Sequence, residues 1–399
     1  MSALRQAALT GRAGHVHRDE SMKRALRAEL LPSAAFVDTH GWDALVSDDD
    51  FFNSQGWLAS LDEAFGAAPL LTVTGRAGIL AGCALWDGER SPGMFSLASF
   101  FPEVPGPWAR DFLWLGARRS THNEIPCVTG PRRAEALARL GREAMNLAAL
   151  RGLGGAVIPY MPISAALEFA EVSPGAVILL HSAEASLRIP QGGLSELTHQ
   201  LGKHNRMRTN TELRAFAKKG NRVEWSPVDE AVESVAARLI AQNRARHGSL
   251  QGEEWMRKIL AGQRKSGVLK SAVVASAKRG EQTTALAVFY TFGQSLHLRY
   301  FGSDYDVAND DFRYFVLAYY ASIDRAVAQG AKVLRLSISS LRAKVLRGAH
   351  LDPLVAVVLP RQGERIDREA ASKHNANLQE QFQKEFAGHM SPEWALISD

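Results

Sequence analysis

The sequence predicts an α/β protein of the α+β kind: two tandem domains, each a mixed sheet flanked by helices, with a basic helix at their junction. Three observations carry this. The chain has 399 residues, 46% of them apolar, enough to fill two cores. Its second half reads β-α-α-β-β-β-α-β-loop-β, and its first half has the same theme of helix, hairpin, long insertion, helix and strand. The positive charge is concentrated. Lys203, Arg206, Arg208, Arg214, Lys218, Lys219 and Arg222 stand against the single acid Glu212, while the whole chain carries only a formal +5.

Residues 1–30 are Ala/Arg-rich and close at Leu31-Pro32, which predicts a marginal helix or a loose arm. In 53–65, Trp57, Leu58, Leu61, Ala64 and Phe65 recur at helical spacing and mark a core-facing helix. Two apolar runs, 70–74 and 79–86, flank a short turn with Gly75 and Gly78 and predict a hairpin. A helix over 137–151 ends in Gly152 to Gly155, and a strand starts at Ala156, within a first domain spanning 31–190. The second domain, 191–360, opens with the basic helix over 195–220, capped by Ser195 and stopped at Gly220. A strand over 223–226 follows, then helices over 230–246 and 253–266 and strands over 271–277, 284–291 and 295–301. Next come a helix over 312–329, a strand over 332–338, a polar loop or short helix over 341–348 and a strand over 354–359. Residues 361–399 form a tail whose helix, 370–386, packs on the surface of one domain.

Composition narrows the function classes. At 22% charged residues the chain is not a solvated scaffold. Its longest apolar runs fall far short of the roughly 18–20 residues that span a bilayer. The N-terminus carries Arg5, Arg12, Arg24 and Arg27 but no apolar core of a secretory signal. Cys83 and Cys127, with no C-x-x-C spacing, fit buried thiols in a reducing cytoplasm. The histidines are scattered, His15 and His17 forming the one close pair, so no metal site is expected. Asp48, Asp49 and Asp50 precede the first helix and favour its N-terminus through the dipole.

Five stretches carry a resemblance: FFNSQGWLASL (51–61), KHNRMRTNTELRAFAKKG (203–220), LHLRYFGSDYD (296–306), YFVLAYYASIDRAVAQGAK (314–332) and LSISSLRAKVLRGAHLDPLV (336–355). Together they resemble the Fem-type aminoacyl-tRNA-dependent peptidyltransferases of peptidoglycan biosynthesis, members of the GNAT superfamily, over nearly the whole chain. The resemblance implies two tandem GNAT-like domains, with aminoacyl-tRNA as co-substrate and no bound cofactor. One departure from the acetyl-CoA-dependent GNAT enzymes agrees. Such enzymes place a Gly-rich pyrophosphate loop before a helix, where backbone N–H groups receive phosphates. Here the junction reads FGSDYDVANDDF (301–312), and Asp304, Asp306, Asp310 and Asp311 would repel a pyrophosphate.

Aminoacyl transfer to an amine is aminolysis of an activated ester, which needs positioning and oxyanion stabilisation but no protein nucleophile. The sequence has no G-x-S-x-G elbow. Fem-type enzymes resemble one another in a lysine within F-K-x-G-F; the corresponding stretch AKVLRG (343–348) makes Lys344 the cation beside the developing charge. It departs from that pattern because Arg347 stands next to Gly348, so either residue fits the role. Arg299 and Tyr300 alternate on a strand and should face opposite ways, with His297 sharing the face of Arg299. Arg299 is then a cleft cation or the partner of a nearby aspartate. Tyr300, Arg335, Tyr319 and Asp304 are the substrate-binding candidates. Lys203, Arg206 and Arg214 fall on one side of the basic helix, with Lys218 a turn further, forming either a phosphate-tracking stripe or a solvated face. With Arg208 they are the candidate tRNA-binding residues, reading phosphates and shape rather than bases. The reading is a cytoplasmic aminoacyltransferase whose acceptor, in the cleft between the domains, is a cell-wall precursor or an amine-bearing secondary metabolite of the antibiotic-biosynthesis kind. The alternatives are an acyl-CoA-dependent N-acyltransferase and a non-catalytic RNA- or glycan-binding protein on the same scaffold.

Overall fold

The computed structural model describes residues 26–86, 96–307 and 311–398. Most of the N-terminal arm, with His15 and His17, and Asp310 of the acidic junction lie outside the described residues. In chain order the elements are β1 (Arg27–Leu31), α1 (Thr39–Asp43), α2 (Gln55–Phe65), β2 (Leu70–Gly75), β3 (Gly78–Trp86), α3 (Leu97–Phe100), β4 (Leu113–Leu115), α4 (Arg133–Leu150), β5 (Gly155–Pro162), α5 (Ile163–Glu171) and β6 (Val177–Arg188). The chain continues through α6 (Gly193–Gln200), α7 (Gly202–Lys218), β7 (Asn221–Pro227), α8 (Glu230–Arg246), α9 (Glu253–Ser266), β8 (Ala272–Arg279), β9 (Gln282–Phe292) and β10 (Ser295–Ser303). It closes with α10 (Arg313–Phe315), a π-helical turn (Val316–Tyr320), α11 (Ala321–Ala328), β11 (Val333–Arg335), α12 (Leu341–Val345), β12 (His350–Pro360) and α13 (Arg368–Phe386).

The twelve strands among the described residues join one sheet in the order β1-β2-β3-β4-β5-β12-β6-β11-β10-β9-β8-β7. Read from its two edges inward, this order is the same path walked twice. In each half, four strands lead to a fifth that runs parallel to its neighbour, β4 with β5 and β10 with β11. The sixth place is exchanged: β12 lies beside β5, and β6 lies beside β11. The exchanged strands pair antiparallel with each other over His350–Val358 and Val177–Ser186, which welds the halves along the centre of the sheet. Helices cover both faces. Leu140 of α4, Ala166 of α5, Leu197 of α6 and Phe216 of α7 share one core, whereas Trp57 of α2, Leu239 of α8 and Met256 of α9 share another. A third, around Phe101, Trp114 and Val358, is covered by Ala371 of α13.

Local chemistry explains the elements. Ser54 caps α2 by accepting from Trp57 N (3.3 Å), and Asp229 caps α8 by accepting from Val232 N (2.8 Å). Four expectations are corrected. The end of the supposed arm is a strand, β1, paired with β2 from Arg27 to Leu31. The basic helix is two helices, broken where Gly202 takes φ 83°, and it starts at Gly193 rather than at Ser195. The long helix after β10 contains the π turn, where Ser322 Oγ back-bonds to Ala318 O and Tyr319 O, both at 2.9 Å. The strand expected over 332–338 stops at Arg335. No helix among the described residues is long and apolar enough to cross a membrane.

Candidate functional site

The site grows from the place where the parallel strands of the second half separate. β10 and β11 are bonded only over Ser295–His297 and Val333–Arg335. Beyond this, β10 runs on along β9 with a bulge between Leu298 and Tyr300, while the other chain turns away through residues 336–340. That turn is unusual: Ser337 and Ser340 are non-glycine residues at φ 68° and 53°. It is held from two sides. Ala185 of β6 accepts from Leu336 N (2.9 Å) and donates to Ser337 O (3.1 Å). Lys344, on the buried side of α12, donates its Nζ to Leu336 O and to Ser337 O (3.0 Å). Burial lowers the Lys344 ammonium to about 7, with Glu184 opposing the shift.

The first half has the equivalent separation between β4 and β5, and it is plugged. Asn123 Nδ2 donates to Leu115 O (3.0 Å) and Pro159 O (3.1 Å), while Asn53 Nδ2 donates to Asn123 Oδ1 (2.8 Å). Gly116, at φ 101°, is required there, because a Cβ would lie 2.0 Å from Asn123 Oδ1. Asn123→Ala strands buried carbonyls and should cost about 1–3 kcal/mol, read as a lower urea midpoint. In the second half, Ser337 Oγ meets Thr121 Oγ1 (3.3 Å) instead, and Arg299 donates to Arg119 O (2.7 Å), so a loop of the first half flanks the separation.

On the α7 face lies a groove of about 670 Å³, walled by α7, Phe315, α12 and the end of α13. Arg347 forms its floor. Its Nη2 donates to both carboxylate oxygens of Glu212 (2.6 and 2.8 Å), its Nε to Tyr320 Oη (3.1 Å) and its Nη1 to Ala343 O (2.9 Å), and the guanidinium lies 3.4 Å from the Phe315 ring centroid. It therefore clamps α12 to α7. Arg208 reinforces the clamp through Leu346 O (3.0 Å), and Arg342 is exposed at the rim. Tyr319 lies beneath, 1% exposed, its hydroxyl 3.4 Å from that of Tyr314.

The other face of the seam carries a buried charge network. Arg335 bridges Asp49 (2.5 Å) and Glu184 (2.9 Å). His122 lies between Glu184 (2.9 Å) and Glu124 (3.0 Å); burial works against its charge, but the two carboxylates win and push it up to about 10. Burial raises Asp50 to about 7 while Asn53 Nδ2 (2.6 Å) and Glu124 N (2.8 Å) donate to it. The aspartate run is thus corrected from a helix-dipole role: Ser54 caps α2, and Asp49 and Asp50 turn inward to balance Arg335 and His122. His297 is buried beside them and lowered to about 3 by burial and Arg335.

The β10 bulge corrects another expectation. Arg299 and Tyr300 do not face opposite ways; the guanidinium lies 5.1 Å from the Tyr300 ring and also over Phe52 and Trp57. Tyr300 Oη accepts from Gln263 (3.2 Å). Asp304 ends β10, accepting from Asp306 N (3.1 Å) with Arg238 at 3.8 Å. Along α7, Lys203, Arg214 and Lys218 are exposed, and Arg206 reaches His199 (2.9 Å); Thr209, Glu212 and Phe216 form the buried side. Arg347 and Arg208 therefore meet at the groove, Lys344 is buried behind it against the 336–340 turn, and Arg299, Tyr300 and Arg335 lie across the sheet. Sequence reasoning missed Glu212, Glu184, His122 and Asn123. For Glu212 the signal was present, a lone acid at the i, i+3 and i+7 spacing of Thr209, Glu212 and Phe216 in a basic helix.

No protein-family model and no curated protein matches the chain. Solved structures do. The chain is similar to FemX, with TM-score 0.57 and 13% identity over 86% of this chain and 99% of that one. It is also similar to a conserved protein of unknown function from Bacteroides thetaiotaomicron, with TM-score 0.53 and 13% identity over 82% and 97% of the two chains. A tandem GNAT protein from the clavulanic acid biosynthesis pathway aligns at TM-score 0.48 and 10% identity over 84% and 98%. The chain shares the fold of FemX. The first half has its strand separation plugged by Asn123, and in the second half Lys344 anchors the turn at the corresponding place.

Proposed function

We propose that the protein transfers an aminoacyl group from aminoacyl-tRNA to an amine acceptor. The observation that supports this most is the continuity of a charge track with a groove: Lys203, Arg206, Arg214 and Lys218 face outward along α7, and Arg208 and Glu212 on the same helix wall the groove against α12. A phosphate backbone lying on the stripe brings its 3′ end within reach of that groove. The donor seat argues the same way. At the start of α10, where an acyl-CoA pyrophosphate would bind backbone N–H groups, Asp311 accepts from Arg313 N (3.3 Å) and Nε (2.8 Å), with Arg279 at 3.2 Å. The backbone N–H of Arg313 is thereby already paired with a carboxylate of the chain. The fold shared with FemX agrees with the sequence resemblance to Fem-type enzymes.

In this reading the neutral acceptor amine attacks the ester carbonyl, forming the C–N bond and an oxyanion. Collapse breaks the ester C–O bond, and the amine proton goes to the departing ribose oxygen. The protein aligns the partners and stabilises the oxyanion. Lys344 fixes residues 336–340, the turn that borders donor and acceptor. A cell-wall precursor or an amine-bearing secondary metabolite is the acceptor class. The test is binding of charged tRNA and of acetyl-CoA across salt concentrations. Replacing Lys203, Arg206 and Arg214 with Gln should lower tRNA affinity at least tenfold and flatten the slope of log affinity against log salt by about 2 to 3. Tight acetyl-CoA binding with indifference to RNA would overturn the reading in favour of an acyl-CoA-dependent enzyme.

A further inference from the structure

A second cationic recess lies on the α7 face, at the end of the second half opposite the strand separation. It encloses about 320 Å³ between the Pro227 end of β7, the start of β8, Thr291 of β9 and the last turns of α11. Lys270 and Arg325 line it, and no carboxylate does. Arg325 lies 5.3 Å over the Trp225 ring, and its Nε is buried without a hydrogen-bond partner. Lys270 is exposed at the mouth. A concave opening with two cations, no counter-charge in its wall and neutral groups from Thr291 and Gln329 suits an anion.

The recess is joined to the basic stripe. Asp324, the neighbour of Arg325, accepts from Leu194 N (2.9 Å) at the start of α6. From there α6, about 12 Å long, leads to Gly202 and Lys203, and its His199 is bonded to Arg206. The cations of α7 thus flank the groove residues Arg208 and Glu212, and from the Lys203 end of the stripe α6 leads to the turn of α11 that carries Arg325.

We propose that the recess between Lys270 and Arg325 seats a backbone phosphate of the RNA, at the outer end of its footprint. This rests on the aminoacyl-tRNA reading. A free small anion would share the phosphate chemistry, so the test separates the two sources. Full-length protein is titrated with uncharged tRNA between 50 and 300 mM salt, as wild type, Lys270→Gln and Lys270→Gln/Arg325→Gln, with thermal unfolding read alongside. The proposal expects the double variant to bind about five- to thirtyfold more weakly near 150 mM salt and to lose about 2 from the salt slope, with the exposed Lys270→Gln alone losing about 1. Wild type binding tRNA with both variants unchanged overturns the recess and leaves the aminoacyl-tRNA reading standing. Failure of the wild type to bind tRNA overturns both. Micromolar pyrophosphate binding that the variants lose, with tRNA affinity unchanged, makes the recess a small-anion site and overturns its role in RNA binding.

Discussion

Lys344→Met should reduce aminoacyl transfer by at least a hundredfold while leaving tRNA affinity within about twofold. The lysine is buried and ties two successive carbonyls, of Leu336 and Ser337, across a turn that holds two serines in the left-handed region. Without the ammonium that turn loses its anchor on the α12 side, and a displacement of about 1 Å at a reacting centre is enough to cost 10²-fold. The stripe on α7 does not touch Lys344, so RNA binding should persist. Stability has its own signature. Burial lowers the Lys344 pKa from 10.5 to about 7, so between these values the unfolded chain binds more protons than the folded one. Stability contributed by this group therefore rises from pH 7 to 10.5 in the wild type, and the rise is missing in Lys344→Met. Because His122 titrates in the same window with the opposite sign, the difference between the two proteins is the quantity to measure in denaturant unfolding at each pH.

Arg335→Met should destabilise the fold by about 3–5 kcal/mol, the usual loss when one partner of a buried ion pair is removed. Glu184 is 2% exposed and lies on the exchanged strand β6; Arg335 is its cation on β11, and Asp49 completes the bridge. The lower figure applies because His122 still faces Glu184 at 2.9 Å. Adding Glu184→Gln to Arg335→Met should recover part of the loss, since it removes the uncompensated charge, and additive losses in the double variant would contradict the pairing. The measurement is the thermal or urea midpoint of Arg335→Met, Glu184→Gln and the double variant.

The elements with strong periodicity were legible in the sequence. α2, the β2–β3 hairpin, α8, α9 and the β8–β10 meander all lie where apolar spacing and turn residues place them. What escaped was non-local. β6 and β12 are apolar runs whose partners lie in the other half, so no local pattern announces that they exchange places. The break at Gly202 was hidden because the residues on both sides keep helical spacing. At the site, the residue pattern made α7 basic and the resemblance to Fem-type enzymes pointed to Lys344 and Arg347, but the sequence could not reveal that Arg347 is held by Glu212 from 135 residues earlier. Nor could it show that a bulge turns Arg299 and Tyr300 to one side. The aspartates at 48–50 read as a helix-terminal run because their partners, His122, Glu124 and Arg335, come from distant loops and strands.

The most direct test of the central claim is a single-turnover assay with tRNA carrying radiolabelled amino acids, incubated with the protein and a pool of small amines from cell extract. The account predicts protein-dependent loss of label from tRNA and its recovery in base-stable amide linkage to a small molecule, suppressed in Lys344→Met and weakened by salt. Label that stays on tRNA under these conditions, while the same amine pool is acylated from acyl-CoA, would contradict it.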